Sequence, residues 1–282
     1  MDRYAPEMDA ILTLSCHDQP GIVHSMTSSV LACGGNIIEN QQFTDPTTGL
    51  FVMRTRIESE QTLSEATKIL HDGLIHLHPA ITIRESSTRK RALVLVTTES
   101  HCLRDLLYLQ ELGELPIEIP MVLSNREELR VLVESHGIPF LALPTDKTVA
   151  EEIIQETMFQ QNIDFTVLAR YMQILSAEFC SRHSGKLINI HHSFLPGFKG
   201  GKPYHQAHER GVKVIGATAH FVTADLDEGP IIEQDVAHVS HSATPEDLIA
   251  LGRDIERRVL SKAVKLFAED RIFVTGNRTV IF

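Results

Sequence analysis

The sequence predicts an α/β protein in two parts, a small ferredoxin-like βαββαβ unit followed by a doubly wound, mostly parallel sheet. Three observations carry the prediction. Residues 8–86 contain short apolar strands interrupted by two amphipathic helical stretches, in the split βαβ order. Residues 90–282 change to unbroken apolar strands alternating with helices, the mark of a parallel sheet covered on both faces. The chain is 282 residues long, more than one hydrophobic core usually serves.

In the first unit, Ala10 to Leu14 reads as a strand. Asp18-Gln19-Pro20-Gly21 is a turn, with Pro20 placed to open a helix. Ile22, Val23, Met26, Val30 and Leu31 then share one helical face, and Gly34-Gly35 ends it. Strands over 36–44 and 50–57 flank the turn Asp45-Pro46-Thr47-Thr48-Gly49, as in a hairpin. A second helix is expected over 62–77 and a last strand at 81–83. Residues 85–91 are polar and basic and read as a solvated connector.

In the second unit, strands are expected over 92–97, 117–123, 140–143, 165–169 and 186–191. Helices are expected over 101–112, 126–135 and 148–160. Residues 214–223 and 231–239 look like antiparallel neighbours. A long helix follows from Pro245 to about Phe267, and Gly276-Asn277 suggests a terminal hairpin.

Composition removes several classes of function. Apolar residues make up 43%, too many for a disordered chain. Lys and Arg number 26 against 37 Asp and Glu, a net charge of −11 that opposes binding to nucleic-acid phosphates. Cys16, Cys33, Cys102 and Cys180 form no CxxC pair, so a reduced compartment is expected rather than disulfides or a zinc ribbon. The first residues show no basic stretch leading into an apolar core, and no apolar run approaches the ~20 residues that span a bilayer. The expectation is a cytoplasmic protein with no nucleic-acid and no membrane partner.

The chemistry concentrates late in the chain. In Leu187-Ile-Asn189-Ile-His191-His192-Ser193-Phe-Leu-Pro196, Asn189 and His191 are two apart on a predicted strand and share a face. They sit at its C-terminal end, where open α/β sheets place their crevice. The loop beyond carries Pro196, Gly197, Gly200, Gly201 and Pro203. An amide beside an imidazole suits a carbonyl that becomes an oxyanion. A base is then needed, and Asp227, before Glu-Gly-Pro230, is the candidate. Each signal alone also fits a structural role, a strand pair or a turn.

Other sites are not expected. No G-x-S-x-G, G-x-G-x-x-G or Walker A motif occurs. Of the 15 histidines, His71, His76 and His78 suit a helix C-terminus without a metal, and His238 and His241 lack an HExxH or cysteine partner. No metal site is expected.

Three segments in order, 165–176, 189–196 and 220–230, together resemble the folate-dependent formyltransferases. The resemblance covers about residues 90 to 282. It implies a formyltransferase-type sheet, a catalytic set of Asn189, His191 and Asp227, and a folate pocket lined by Met172, Gln173, Ile174 and Leu175 with Val222 and Thr223. Residues 8–86 resemble an ACT domain, through Asp18-Gln-Pro-Gly21-Ile-Val and Gly35-Asn36-Ile-Ile. That resemblance implies a regulatory site near Asp18, Gly21 and Asn36 at an interface between copies. It further implies an amino-acid effector such as methionine or glycine, and a homo-oligomer, dimer or tetramer. The two-part layout resembles that of the 10-formyltetrahydrofolate deformylases, which are hydrolases.

The formyltransferases that act on ribonucleotides carry a glycine-rich loop after the first strand. Here the matching stretch is Thr98-Glu99-Ser100-His101, without glycine and with a negative charge that repels a phosphate. The implied reaction is therefore hydrolysis of 10-formyltetrahydrofolate to tetrahydrofolate and formate, feeding one-carbon and purine metabolism. Folate is the substrate, and no cofactor or metal is expected. The alternatives are transfer to a non-phosphorylated amine and a non-catalytic folate or amino-acid sensor.

Overall fold

The computed structural model describes residues 6–197 and 203–282, so Gly200 and Gly201 lie outside the described residues. The chain divides into two units. One runs to Thr88 and includes residues 270–276 and 280–282; the other holds residues 89–269 and 277–279.

The first unit contains β1 (Met8–His17), α1 (Ile22–Ala32), β2 (Gly35–Asp45), β3 (Leu50–Ser59), α2 (Leu63–Leu74) and β4 (Ala80–Glu85). The strands pair in the order β2-β3-β1-β4, and the pairings β1 with β3, β1 with β4 and β2 with β3 are all antiparallel. Met8, Ala10, Leu12, Leu14 and Cys16 alternate along β1 onto one face and join Met26, Val30, Leu70 and Leu74 in a single core. Thr62 and Glu65 form a capping box at the start of α2. Gly21, at φ 96, turns the chain into α1 in a region other residues rarely enter.

The second unit contains β5 (Lys90–Val96), α3 (His101–Glu111), β6 (Ile117–Ser124), α4 (Arg130–Glu134), β7 (Phe140–Ala142), α5 (Lys147–Gln160) and β8 (Phe165–Leu168). It continues with α6 (Ala177–Arg182), β9 (Leu187–His191), α7 (Pro203–Glu209), β10 (Val214–Phe221), β11 (Ile231–His238) and α8 (Pro245–Ala268). A hairpin of β12 (Ile272–Thr275) and β13 (Arg278–Ile281) ends the chain. The large sheet has the order β11-β10-β9-β8-β5-β6-β7. From β7 to β9 its strands are parallel, and β10 and β11 are antiparallel. Ala92 to Val96 of β5 are all buried, as the unbroken apolar run requires. The chain builds outward from β5 to β7, then returns to place β8 and β9 on the other side. The crevice at such a reversal is where doubly wound sheets bind ligands.

Several expectations are corrected. The connector is shorter than residues 85–91, because Glu85 ends β4 and Lys90 begins β5. Two of its three basic residues, Lys90 and Arg91, are engaged rather than solvated, while Arg89 is exposed. The Arg91 guanidinium donates to Glu118 at 2.6 Å and to the Gln161 carbonyl at 2.7 Å, and Lys90 lies over the Phe267 ring. The second unit does not extend to 282. The tail groups with the first unit, where the Arg84 guanidinium pairs with Asp270 and Phe273 packs on Phe282. The helix expected over 126–135 is confined to Arg130–Glu134, since Ser124 Oγ accepts from the Arg126 N–H and turns the chain first. Helices α6 and α7 were not expected.

All four cysteines are buried and free. Among the described residues no helix is long and apolar enough to cross a membrane.

A buried carboxylate ties α8 to the crevice. Glu256 is 1% exposed. It accepts from His101 Nε2 at 2.9 Å and from the Tyr204 hydroxyl at 2.7 Å, with Arg170 Nε 3.4 Å away. Tyr204 reaches it across Gly252, where a Cβ would sit 2.2 Å from the ring. Arg170 holds a left-handed φ of 65, which this anchoring helps to fix. Burial pushes the Glu256 carboxyl up, but the His101 bond and the charges of Arg170 and His101 outweigh it, leaving the group below its ordinary value.

A carboxyl lowered on folding adds stability above its unfolded value and loses it as pH falls through the folded one. Glu256→Gln is therefore expected to cost about 3 kcal/mol at neutral pH. Denaturation midpoints should also show a shallower loss of stability in the variant between about pH 5 and about pH 3. Parallel pH slopes for the two proteins would contradict this account.

Candidate active site

The site is assembled where the sheet changes direction. Asn189 and His191 alternate on β9 and share a face, as their spacing predicts. The antiparallel register of β10 sets His220 opposite Asn189 and Thr218 opposite His191. Thr218 is fully buried, and its hydroxyl donates to the Ser193 carbonyl at 2.9 Å and accepts from the Leu195 N–H at 3.0 Å and from Gln234 at 2.9 Å. The residues just after β9 are thereby pinned to β10.

Asp227 comes from the loop between β10 and β11. That loop folds back sharply, so that the Phe221 N–H donates to the Pro230 carbonyl at 2.9 Å. A Cβ on Gly229 would lie 1.7 Å from the Phe221 carbonyl oxygen, so only glycine fits there. Asp227 itself has φ 57, a left-handed conformation that aspartate tolerates better than most residues. The result places its carboxylate 3.3 Å from His191 Nδ1 and 3.7 Å from His220 Nε2.

Hydrogen bonds assign the protons. The His220 Nδ1 must carry its proton to donate to the Phe221 carbonyl at 2.9 Å, leaving Nε2 to accept from the Asn189 amide at 3.2 Å. Burial holds His220 below the ordinary histidine value, consistent with a neutral ring. Asp227 can only accept, so His191 presents Nδ1–H to it. His191 Nε2 is buried with no partner among the described residues. Burial pushes the Asp227 carboxyl up, but the His191 bond and the three neighbouring histidines outweigh it and hold it below the usual carboxylate value. An amide N–H, an imidazole nitrogen and an ionised carboxylate thus converge on one point.

These groups open into a pocket of about 360 Å³. Every expected substrate-binding residue lines it: Met172, Gln173, Ile174, Leu175, Val222 and Thr223, together with Asn189, His191 and Asp227. The segment after β8 is anchored by Ala169 N–H to the Leu95 carbonyl and by Met172 N–H to Thr97 Oγ1, both at 2.9 Å. Ser176 caps α6 and donates from both its N–H and hydroxyl to Glu151. Met172, Ile174 and Leu226 are 55%, 63% and 57% exposed, an apolar rim suited to a flat ligand. The sequence reading left Thr97, Arg170, Glu256 and Glu151 unassigned; Ser176 with Glu178 in the first turn behind it is the capping signal that could have revealed α6.

Glu99 pairs with Arg253 at 3.2 Å beside the start of α3, so this stretch already holds its own carboxylate. His101, Cys102 and Glu256 come close enough to suggest a metal, but the Arg170 guanidinium against Glu256 opposes a cation there.

The expected regulatory residues do not meet within one chain. Asp18 and Gly21 lie in the loop after β1. Asn36 opens β2, at the level of Asp9 across Glu58, so it is at the other end of the sheet, about 30 Å away by strand rise. All three are exposed.

Comparison with known proteins follows this geometry. The formyl transferase family model matches residues 90–264. The chain is 44% identical to the formyltetrahydrofolate deformylase of Escherichia coli strain K12 over 96% of its own length and 97% of the other's. It is also 44% identical to that of Bacillus subtilis strain 168, over 96% and 93%. Its structure superposes on the crystal structure of the Burkholderia mallei formyltetrahydrofolate deformylase with a TM-score of 0.94, at 41% identity, covering 98% of this chain and 99% of that one. On sequence and structure together, the chain belongs to the formyltetrahydrofolate deformylases.

Proposed function

We propose that this chain hydrolyses 10-formyltetrahydrofolate to tetrahydrofolate and formate, with Asn189, His191 and Asp227 as the reacting set. The observation that carries the reading is the meeting of these three groups in one apolar-rimmed pocket. The folate ring packs between the 172–175 segment and the 222–227 loop. Asn189, oriented by His220, has one amide proton left to donate to the formyl oxygen. His191 in its imidazolium form donates from Nε2 to the same oxygen as it becomes an oxyanion. Asp227 takes a proton from the attacking water and returns it to N10 as that nitrogen leaves. The reaction is assigned to side chains and water, with folate as substrate and no further cofactor.

A phosphate-bearing amine is disfavoured as acceptor, because the stretch after β5 carries Glu99, already paired with Arg253, in place of glycines.

We read residues 8–86 as an ACT domain that binds an amino acid between copies. Strand β2 supports this. It is an edge strand of 11 residues with Ile38 and Phe43 43% and 45% exposed, a surface that invites pairing. A two-fold antiparallel pairing through β2 would bring Asn36 of one copy toward the sheet end that bears Asp18 of the other.

The full chain is expected to release formate stoichiometrically from 10-formyltetrahydrofolate with no amine present, and methionine or glycine to change the rate. Absolute dependence on an added amine would point to transfer instead. Asp227→Asn keeps the left-handed backbone and should lower kcat by about 1000-fold while folate still binds; near-normal turnover would remove Asp227 from the reaction. Gly229→Ala should lower kcat by about 100-fold by displacing Asp227, with folding checked by circular dichroism. Unchanged activity there would show the loop to be less constrained than its backbone contact implies.

A further inference from the structure

Water must be held as well as deprotonated, and the residues placed so far are committed. Asp227 faces the Nδ1 proton of His191. His220 uses one nitrogen on the Phe221 carbonyl and the other on Asn189. His191 has only Nε2 left, and the oxyanion takes it. His192, the next residue, has no such commitment. Among the described residues neither of its ring nitrogens has a hydrogen-bond partner, yet it is not an exposed side chain. Its ring centroid lies 5.2 Å from that of His191 and 6.2 Å from that of Tyr204.

His192 also has an unusual position between two cavities. It lines the reaction pocket, and it lines a second cavity of about 480 Å³ with Phe194, Tyr204, Ile215 and Val236. Burial, then the charge of Arg170, pushes its pKa down to about 4. At neutral pH the ring is therefore uncharged, with one N–H to give and one lone pair to accept.

We propose that His192 holds the attacking water for the hydrolysis proposed above, on which this inference rests, by accepting a hydrogen bond from one of its protons. The water oxygen then forms its bond to the formyl carbon as the C=O π pair moves onto the oxygen beside Asn189 and His191. The second water proton passes to Asp227. Collapse breaks the C–N10 bond, its electron pair stays on N10, and that nitrogen takes the proton from Asp227. The proton that faced His192 leaves with formic acid and is lost to solvent as formate forms. His192 gains and loses no proton overall; its work is to aim the nucleophile.

The test uses the full chain with 10-formyltetrahydrofolate at neutral pH, with and without hydroxylamine as a competing nucleophile. His192→Ala is expected to lower kcat by about 100-fold, with KM changed less than about twofold. His192→Gln, which keeps an acceptor, should recover about a tenth of wild-type kcat. The ratio of formohydroxamate to formate should rise about tenfold in the alanine variant, because only water depends on the imidazole. A kcat within about twofold of wild type overturns the proposal. So does a fall in kcat with an unchanged product ratio and no recovery in His192→Gln, which marks a packing role. If His192→Ala does not fold, His192→Gln decides alone: a lowered kcat with unchanged KM and a raised ratio supports the proposal, and an unchanged ratio overturns it. Wild type that releases no formate would defeat the hydrolase reading itself. Wild type active, Asp227→Asn inactive and His192→Ala unimpaired would remove only the role of His192.

Discussion

The return of the chain from Phe221 to Pro230 is the constraint on which the rest of the site depends. A strand ends, and within nine residues the backbone must come back to bond the strand it left. That is possible only because no side chain occupies position 229. The same fold-back drives Asp227 into a left-handed conformation and points its carboxylate at two histidines carried by different strands. Without it the Nδ1 proton of His191 would have no carboxylate to face. Local strain at one loop is thus exchanged for order across three elements.

Behind this first layer lies the Glu256 network, which serves a different purpose. It joins α3, α7 and α8 to the segment after β8 through one carboxylate. Ion pairs of this kind are weak evidence for stability in themselves, because desolvation offsets much of the attraction. Their value here is geometric. Arg170 and Tyr204 are held at fixed places beside His192, so the site is braced on that side from behind.

Much of this was legible in the sequence, and the reasons are specific. Asn189 and His191 were found because a strand has a period of two, and two functional residues at that spacing must share a face. Asp227 was found because Glu-Gly-Pro marks a reversal. The alternation of apolar strands with helices predicted the parallel sheet, and the shift to antiparallel strands near residue 214 was also visible. What stayed hidden depends on register and long-range packing. The hydrogen bond between Asn189 and His220 comes from how β9 and β10 align, and not from anything adjacent in sequence. Glu256 lies in Arg-Asp-Ile-Glu-Arg-Arg, which reads as a solvated helix face. Helices α6 and α7 span six and seven residues, too few to show a period. The basic connector misled because charge suggests solvent, whereas Arg91 found carbonyl and carboxylate partners within the fold.

The separation of Asp18 from Asn36 along the first sheet has a thermodynamic consequence. A single small molecule cannot touch both ends of a sheet this long. An amino acid gripped by both would have to bridge two chains, so its binding and the association of the chains would be linked, each strengthening the other. Sensitivity to the metabolite would then rise with the amount of protein present. Dilution alone, with no change in sequence or metabolite level, would blunt the response.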